Sequence, residues 1–387
     1  MASSVQIGHE NNIISIANRI IDNVGKNKFD FPEEGSDFHI SKKYLIDGIK
    51  KYFLSYLQRY VQNPDYLISI RWFYTQKLLD FNPIDPILPY NKDDNESLYY
   101  ELEKINVPHR EIEELSRDIF TMIKNYNPRH INVDIPVLLS EQNGTITVSY
   151  NKIRYDMTQE VYSNLKNLYT NNSKKYGNQN EVDVFNRRLF NLFCRYESLA
   201  APGYHAAIPE KMCDLIRNNL FVTHQLFASP FNCNPKMTYT SAYPDTDKFF
   251  GSLGNFFEKY EELFTSGGSF EANPPFLEEY LAVLSKIIEK ALLNEKPLSF
   301  FVVYPGWDDA IGYRLLLESK WNVLGTKVIN FERNRHTYMQ TSQYLIKKIP
   351  PKPSNSRSSI FILQNEAGKN KYKVSAPLLN EIIKSFQ

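Results

Sequence analysis

Apolar residues recur at three- and four-residue steps through most of the first third of the chain, and that spacing predicts helices. Ile13 to Ile21 carries it. Ser41 is placed to cap a long amphipathic helix, with Tyr44, Leu45, Ile49, Tyr52, Phe53, Tyr56, Leu57 and Tyr60 on its apolar face. Tyr66 to Leu79, Glu96 to Ile105 and Glu111 to Tyr126 predict three further helices. Pro83, Pro86 and Pro89 mark a loop between them, because each proline removes a backbone donor and clashes with the preceding turn. One β signal interrupts this region. Val137 to Ser140 and Thr145 to Tyr150 flank Asn143-Gly144, the strongest short hairpin signal. The Asn-rich stretch Thr170 to Asn180 reads as a linker, and Glu181 to Leu199 reads as a helix again.

Beyond about residue 200 the period changes. Phe221 to Ala228, Met237 to Tyr243, Gly268 to Ala272, Leu298 to Tyr304, Trp321 to Phe331 and Ser358 to Leu363 are short apolar runs that predict strands. Pro209 to Asn219, Leu277 to Leu293 and Trp307 to Glu318 predict helices among them. Alternation of strand and helix argues for an α/β fold with a parallel, doubly wound sheet. Such sheets bind ligands beyond the carboxyl ends of their strands. The expected division is a mainly helical domain with a hairpin over residues 1–180 and an α/β domain over residues 181–387.

Composition narrows the function classes. The length of 387 residues suits two domains. Lys plus Arg is 45 and Asp plus Glu is 44, a net charge of +1. A general basic field of the kind that coats nucleic acid is therefore excluded, while a local basic cleft is not. Met1 to Glu10 has no charged start followed by an apolar core, so no secretory signal is expected. No apolar run reaches the roughly 18 residues of a membrane span. Cys194, Cys213 and Cys233 form no CxxC pair and the seven histidines form no HExxH. An intracellular, reducing setting is expected, with nucleus or cytoplasm open, and no metal site is expected.

The chemistry concentrates in Asn273-Pro274-Pro275-Phe276, which follows one predicted strand and precedes a helix. The two prolines stiffen the turn and keep it extended. A planar aromatic amine is a poor nucleophile, because its lone pair is delocalised into the ring. The Asn273 side-chain oxygen and the Pro274 carbonyl are each able to accept one of its hydrogens, which favours the pyramidal amine that attacks. Phe276 offers a face for a base, a contact worth about 1–3 kcal/mol in single-stranded recognition. The plainer alternative is a Pro-Pro turn with a buried Phe.

Three other segments end at the same edge. Phe227-Ala228-Ser229-Pro230-Phe231-Asn232 closes the first predicted strand, where a cofactor loop belongs, but lacks the usual glycines. Tyr243-Pro244-Asp245-Thr246-Asp247 closes the second, where an acid commonly binds ribose hydroxyls; an ordinary solvated turn explains it equally well. Gly203 to Pro209 leads into a helix, with Pro209 suited to its first turn. His205 in that segment reads as structural.

The tetrapeptide resembles the Asn/Asp-Pro-Pro-aromatic signature of amino-methyltransferases that use S-adenosylmethionine. Together with Phe227 to Cys233, Ser241 to Asp247, Phe250-Gly251-Ser252, Gly268 to Phe276, more weakly Pro297 to Phe300 and Pro305-Gly306-Trp307, and then Ile360 to Asn365, it resembles the cap-specific adenosine N6-methyltransferases, the phosphorylated-CTD-interacting-factor family. That resemblance implies a Rossmann-like methyltransferase domain preceded by a helical domain. It implies S-adenosylmethionine as methyl donor, capped RNA with a 5′ adenosine as substrate, and no metal. It assigns catalysis to Asn273, Pro274, Pro275 and Phe276. Cofactor binding falls to Gly203, Pro209, Ala228, Ser229, Pro230, Phe231, Asp245, Asp247 and Glu271. Trp307 is a substrate-binding candidate. Arg71 and Trp72 have the right types for holding a cap, though an amphipathic helix packing its aromatics inward explains them more simply. Trp72, Trp307 and Trp321 contain no pair at WW spacing, so the family's WW domain, and binding to the polymerase tail with it, is not expected. Methylation of internal RNA or DNA adenine, or an inactive cap-binding subunit, remains as an alternative.

Overall fold

The predicted helices of the first third form, but the one expected to be capped by Ser41 begins at Ser36 with Gly35 as its N-cap and ends at Leu57, so Ser41 lies inside it and Tyr60 beyond it. A computed structural model describes residues 4–23, 31–79, 85–89, 96–103, 105–127, 136–176, 182–200, 205–325, 327–340 and 352–387. Helices α1 (Ser4–Asn23), α2 (Ser36–Leu57), α3 (Leu67–Leu79), α4 (Glu96–Glu103) and α5 (His109–Lys124) come first. Strands β1 (Leu138–Gln142), β2 (Thr145–Tyr150) and β3 (Ile153–Thr158) then make an antiparallel meander, followed by α6 (Gln159–Ser173) and α7 (Val182–Ser198). Asn143 and Gly144 hold φ of 53° and 74°, the left-handed pair that a tight hairpin needs. Asn151, at φ 54°, makes a second tight turn into β3, which the hydrophobic pattern did not predict.

The rest of the chain runs β4 (Ala206–Ala207), α8 (Glu210–Asn219), β5 (His224–Ala228), β6 (Thr238–Ser241), α9 (Pro244–Asp247), α10 (Phe256–Phe264), β7 (Gly268–Ala272) and α11 (Glu278–Ala291). It continues with β8 (Leu298–Pro305), α12 (Ile311–Leu317), β9 (Ile329–Phe331), β10 (Thr337–Gln340), β11 (Lys352–Pro353), β12 (Ser358–Gln364), α13 (Glu366–Lys371) and α14 (Ala376–Phe386). No helix among the described residues is long and apolar enough to cross a membrane.

The described residues pack as two units. One takes Met1–Asn12, Phe29–Ser163 and Ser173–Pro202; the other takes Ile13–Lys28, Asn164–Asn172 and Gly203–Gln387. Helix α7 lies in the first unit, packed on α2, whereas the sequence reading began the second domain at residue 181. The expected linker over residues 170–180 is also partly helix. Thr170 to Ser173 closes α6 and Lys174–Tyr176 forms a 3-10 turn. Here Thr170 and Asn172 turn their side chains back onto the carbonyls of Lys166 and Leu168, so polar composition does not break the helix. Residues 177–180 lie outside the described residues.

In the first unit, Ile46, Ile49 and Phe53 of α2 are buried, as are Ile112, Leu115 and Ile119 of α5. Tyr150 and Tyr155 of the meander pack on Phe190 of α7. The interior also holds charge. Lys42, 1 % exposed, pairs with Glu34 and Asp85, and Arg188 meets Glu33 through two hydrogen bonds of 3.0 and 2.8 Å.

The second unit is built on a six-stranded sheet of order β6-β5-β7-β8-β12-β9. Strands β6, β5, β7 and β8 are parallel, and β12 runs antiparallel between β8 and β9. The sheet is therefore mixed, not wholly parallel as the alternation suggested. Between β9 and β12 the chain enters a small separate ladder, β11-β10-β4, in place of the crossover helix that parallel neighbours use. The predicted strand Trp321 to Phe331 shrinks to Ile329–Phe331. Asn322 accepts from the Leu324 amide and donates to the Gly325 carbonyl, which bends the earlier residues into turns.

Side chains of β8 alternate between two helical layers. Phe301 and Val303 join Met212 and Ile216 of α8 and Leu378, Ile382 and Phe386 of α14 in one core. Tyr304 points the other way, its hydroxyl 3.0 Å from Ser285 Oγ and 3.0 Å from the Leu281 carbonyl of α11. Gly312 lets α12 come close to α11, since a Cβ there would sit 2.4 Å from the Leu281 carbonyl carbon. Strand β5 has β6 on one side and β7 on the other, so chain direction across the sheet reverses there. In sheets of this kind ligands are held at such a reversal, beyond the carboxyl ends of the strands.

Candidate active site

Four loops leave the carboxyl ends of the parallel strands at this reversal. After β5, residues 229–237 run to β6 with no helix between them. Ser229 and Pro230 are buried, and Ala228 and Phe231 are half-buried. The Asn232 carboxamide oxygen accepts from the Ser229 amide at 2.6 Å and the Ser229 hydroxyl at 2.9 Å. Non-glycine turns at such positions usually need backbone strain, yet no residue from 222 to 250 has a positive φ. Side-chain hydrogen bonds shape this turn without glycine. A dinucleotide site uses a glycine turn and a helix N-terminus to hold pyrophosphate. The 229–237 connection has neither.

After β6, the short helix α9 holds Asp245 and Asp247, both buried. Thr246 Oγ1 bonds Asp247 Oδ1 at 3.0 Å. After β7 comes Asn273, half-buried, which donates from Nδ2 to the Ala206 carbonyl at 3.0 Å. A carbonyl partner requires the NH2 end of the amide, so Oδ1 is left as an acceptor. The Pro274 carbonyl sits next in the chain. Among the described residues, neither that carbonyl nor Asn273 Oδ1 accepts a hydrogen bond. Pro274 and Pro275 have no N–H with which to fill them. After β8, Trp307 is 38 % exposed, and its ring meets Phe276 edge-on at 6.3 Å. Phe276 also packs edge-on against Tyr338, so half of it belongs to the core.

The carboxyl ends of the neighbouring strands β5, β6, β7 and β8 thus carry Ala228 to Phe231, Asp245 and Asp247, Asn273 to Phe276, and Trp307 along one edge of the sheet, with Phe276 and Trp307 in contact. Pro209 is the N-cap of α8, three residues beyond the Ala206 carbonyl that Asn273 grips. Glu271 sits lower, inside β7 and 1 % exposed, where its carboxylate accepts from Gln225 Nε2 at 3.2 Å. Burial pushes its pKa up to about 7, against the pull of that amide. Gln225 in turn accepts the Asn234 amide at 2.6 Å. Glu271 therefore braces β7 to the 229–237 connection from inside the sheet. Gly203 lies outside the described residues.

Arg71 and Trp72 belong to the first unit. Trp72 is 2 % exposed and packed on Phe53, Phe73 and Phe120. Arg71 pairs with Asp65 at 3.0 Å and Glu101 at 2.9 Å. A ring so enclosed has no face for a cap base, and the inward-packing explanation of this helix is the one realised.

Sequence reasoning passed over Gln225 and Asn234, and named Asn232 only as part of the loop that closes the first strand. The signal for Gln225 was a polar residue within the apolar run of β5. The Nε2 of His205 is shut off from water, and burial holds its pKa down to about 4, so the ring is neutral near pH 7.

Residues 164–341 match the family model described as the phosphorylated CTD interacting factor 1 WW domain. The matched stretch holds the β5, β6, β7 and β8 loops and two of the tryptophans, Trp307 and Trp321. The chain is also 28 % identical over 259 residues to an mRNA (2′-O-methyladenosine-N(6)-)-methyltransferase of Mus musculus, and 27 % identical over 258 residues to that of Homo sapiens. Each alignment covers 64 % of this chain and 35 % of the relative, so the match spans about a third of their length. Over residues 164–341 the chain is similar to the phosphorylated CTD interacting factor family.

Proposed function

We propose that this chain transfers a methyl group from S-adenosylmethionine to the N6 amine of adenosine, at the first transcribed nucleotide of RNA bearing a 7-methylguanosine cap. The observation that carries the reading is the pair of open acceptors beyond β7, Asn273 Oδ1 and the Pro274 carbonyl. An amine with two hydrogens finds one acceptor for each. The relatives' names, which specify adenosine N6, support the same chemistry.

S-adenosylmethionine supplies an electrophilic methyl group on a sulfonium. The chain's own residues do the rest by placement. Asn273 and Pro274 draw the amine hydrogens out of the base plane and free the nitrogen lone pair. Phe276, with Trp307 beside it, offers the base an aromatic surface. Asp245, at the end of β6, accepts from ribose hydroxyls. The 228–231 turn forms the floor of the cofactor site, with Asp247 and Pro209 at its margins. No strong base is needed before attack, because the amine turns acidic only as it gains positive charge.

Methyl-labelled S-adenosylmethionine and RNAs of one sequence test the reading. We expect label on capped RNA beginning with A and none on capped RNA beginning with G. The rate should fall steeply without the 7-methyl group, as the cation–aromatic attraction is lost. It should also fall with rising salt, as phosphate contacts are screened. Equal rates on capped and uncapped RNA, or on DNA, would replace the cap-specific reading with an internal or DNA target. Label on no substrate would reject methyl transfer and favour a binding subunit.

A further inference from the structure

We propose that Asn232 is a positioning residue that sets the spacing between the methyl-donor loop and the target-amine loop. This inference rests on the methyl-transfer reading and deepens it. Its basis is a single backbone segment gripped from two sides. The Asn232 oxygen is used up on Ser229, so its NH2 is left over, and it donates to the His205 carbonyl at 3.3 Å. The next carbonyl along, that of Ala206, takes the NH2 of Asn273 at 3.0 Å. Consecutive Cα atoms are about 3.8 Å apart, so two loops from neighbouring strands are registered against adjacent peptide units.

The gripped segment is itself anchored. Ala206 and Ala207 pair with Gln340 and Met339 in the β4–β10 ladder. On the other side, the Ser229 carbonyl accepts the amides of Asn232 at 3.1 Å and Cys233 at 2.9 Å, which makes the β5 loop a closed turn. The distance between the loops therefore depends on a third element and two carboxamides. An amide is required at residue 232 because its oxygen faces two donors while its nitrogen faces a carbonyl. A carboxylate keeps the first set and turns a lone pair toward the His205 oxygen.

Group transfer needs reacting atoms about 3–3.5 Å apart and aligned, and a 1 Å misplacement can cost about 100-fold in rate. Loosening the strap should accordingly damage transfer more than cofactor binding. Asn232→Asp, in the full chain, keeps the turn around Ser229 and loses the bond to His205. Asn232→Ala loses both. Three readouts apply: affinity for S-adenosylmethionine by calorimetry, hydrogen exchange at residues 205–207, and the single-turnover methylation rate.

For Asn232→Asp we expect affinity within about threefold of the parent, exchange at 205–207 faster by about tenfold, and a transfer rate down by about 30- to 100-fold. For Asn232→Ala we expect affinity to fall by about tenfold as well. Parental exchange and rate in Asn232→Asp would overturn the proposal. So would a rate loss no larger than the affinity loss, which marks an ordinary cofactor-loop residue. An active parent with an unaffected Asn232→Asp variant rejects the strap alone. A parent that neither binds nor transfers rejects the methyl-transfer reading, and the strap falls with it.

Discussion

The two units bury titratable groups in opposite ways. In the first, carboxylates meet cations: Glu34 lies 2.8 Å from Lys42 Nζ and 3.8 Å from Arg195 Nη2. Burial still raises the Glu34 pKa, but Lys42 and Arg195 pull against it. In the second, Glu271 and His224 meet neutral partners. Glu271 is answered by the Gln225 amide and climbs to about 7. His224 is held between the hydroxyls of Thr238 and Thr240, and burial lowers its pKa to about 4. Burial beside a countercharge preserves ionisation, and burial beside a dipole erodes it. The Glu34 cluster is therefore held by charge, while Glu271, with a pKa of about 7, is the group that pH is able to switch.

The sharpest way to break this contrast is to remove the central cation. Lys42→Met leaves Glu34 and Asp85 buried without their partner, and we expect a loss of about 3–5 kcal/mol in unfolding free energy by denaturant titration. A loss under about 1 kcal/mol would mean the pair is solvated and the contrast false. Next in size is Asn273→Ala. Loss of an oriented acceptor should lower the methylation rate by about 100- to 1,000-fold, with affinity for S-adenosylmethionine nearly unchanged. Near-parental turnover would remove Asn273 from catalysis.

Glu271→Gln sharpens the contrast through pH. A carboxyl whose pKa rises from 4.5 to about 7 on folding binds its proton more tightly in the folded chain. Its contribution to stability is complete below about 4.5 and is lost as pH rises through 7. At about 1.4 kcal/mol per unit, the parent should lose about 3 kcal/mol relative to Glu271→Gln between pH 4.5 and pH 8. Parallel stability curves for the two proteins would show that Glu271 stays ionised. The smallest expected effect is that of Asp245→Ala, which should weaken S-adenosylmethionine by about 1.5–3 kcal/mol if a charge-assisted bond to ribose is lost. Unchanged affinity would return Asp245 to the status of a turn residue.

Where local period and turn chemistry agree, the sequence was readable. Gly268–Ala272 is a strand as expected, and the Leu277 to Leu293 pattern became α11 over Glu278–Ala291. The Asn273 tetrapeptide stood out because two prolines directly follow a predicted strand. Relations that close through space were not readable. Asn232 reaches His205 across 27 positions and Asn273 reaches Ala206 across 67, and no periodicity encodes such partners. Aromatic residues misled for the same reason. Trp72 and Trp307 look alike in sequence, yet one is enclosed by three rings and the other stands at a strand end.

The antiparallel insertion of β12 also dictates the order in which this protein is able to assemble. Within the sheet, β9 pairs with β12 alone, and β12 fills the place between β9 and β8. While the chain is still being synthesised, β8 presents a bare edge and β9 has nothing to join. An exposed apolar edge invites pairing with other chains. The sheet closes only when residue 364 has cleared the ribosome, so folding of this unit must wait for synthesis. A nascent chain stalled near residue 350 should be captured by chaperones, and one stalled far enough beyond residue 387 to free β12 should resist protease.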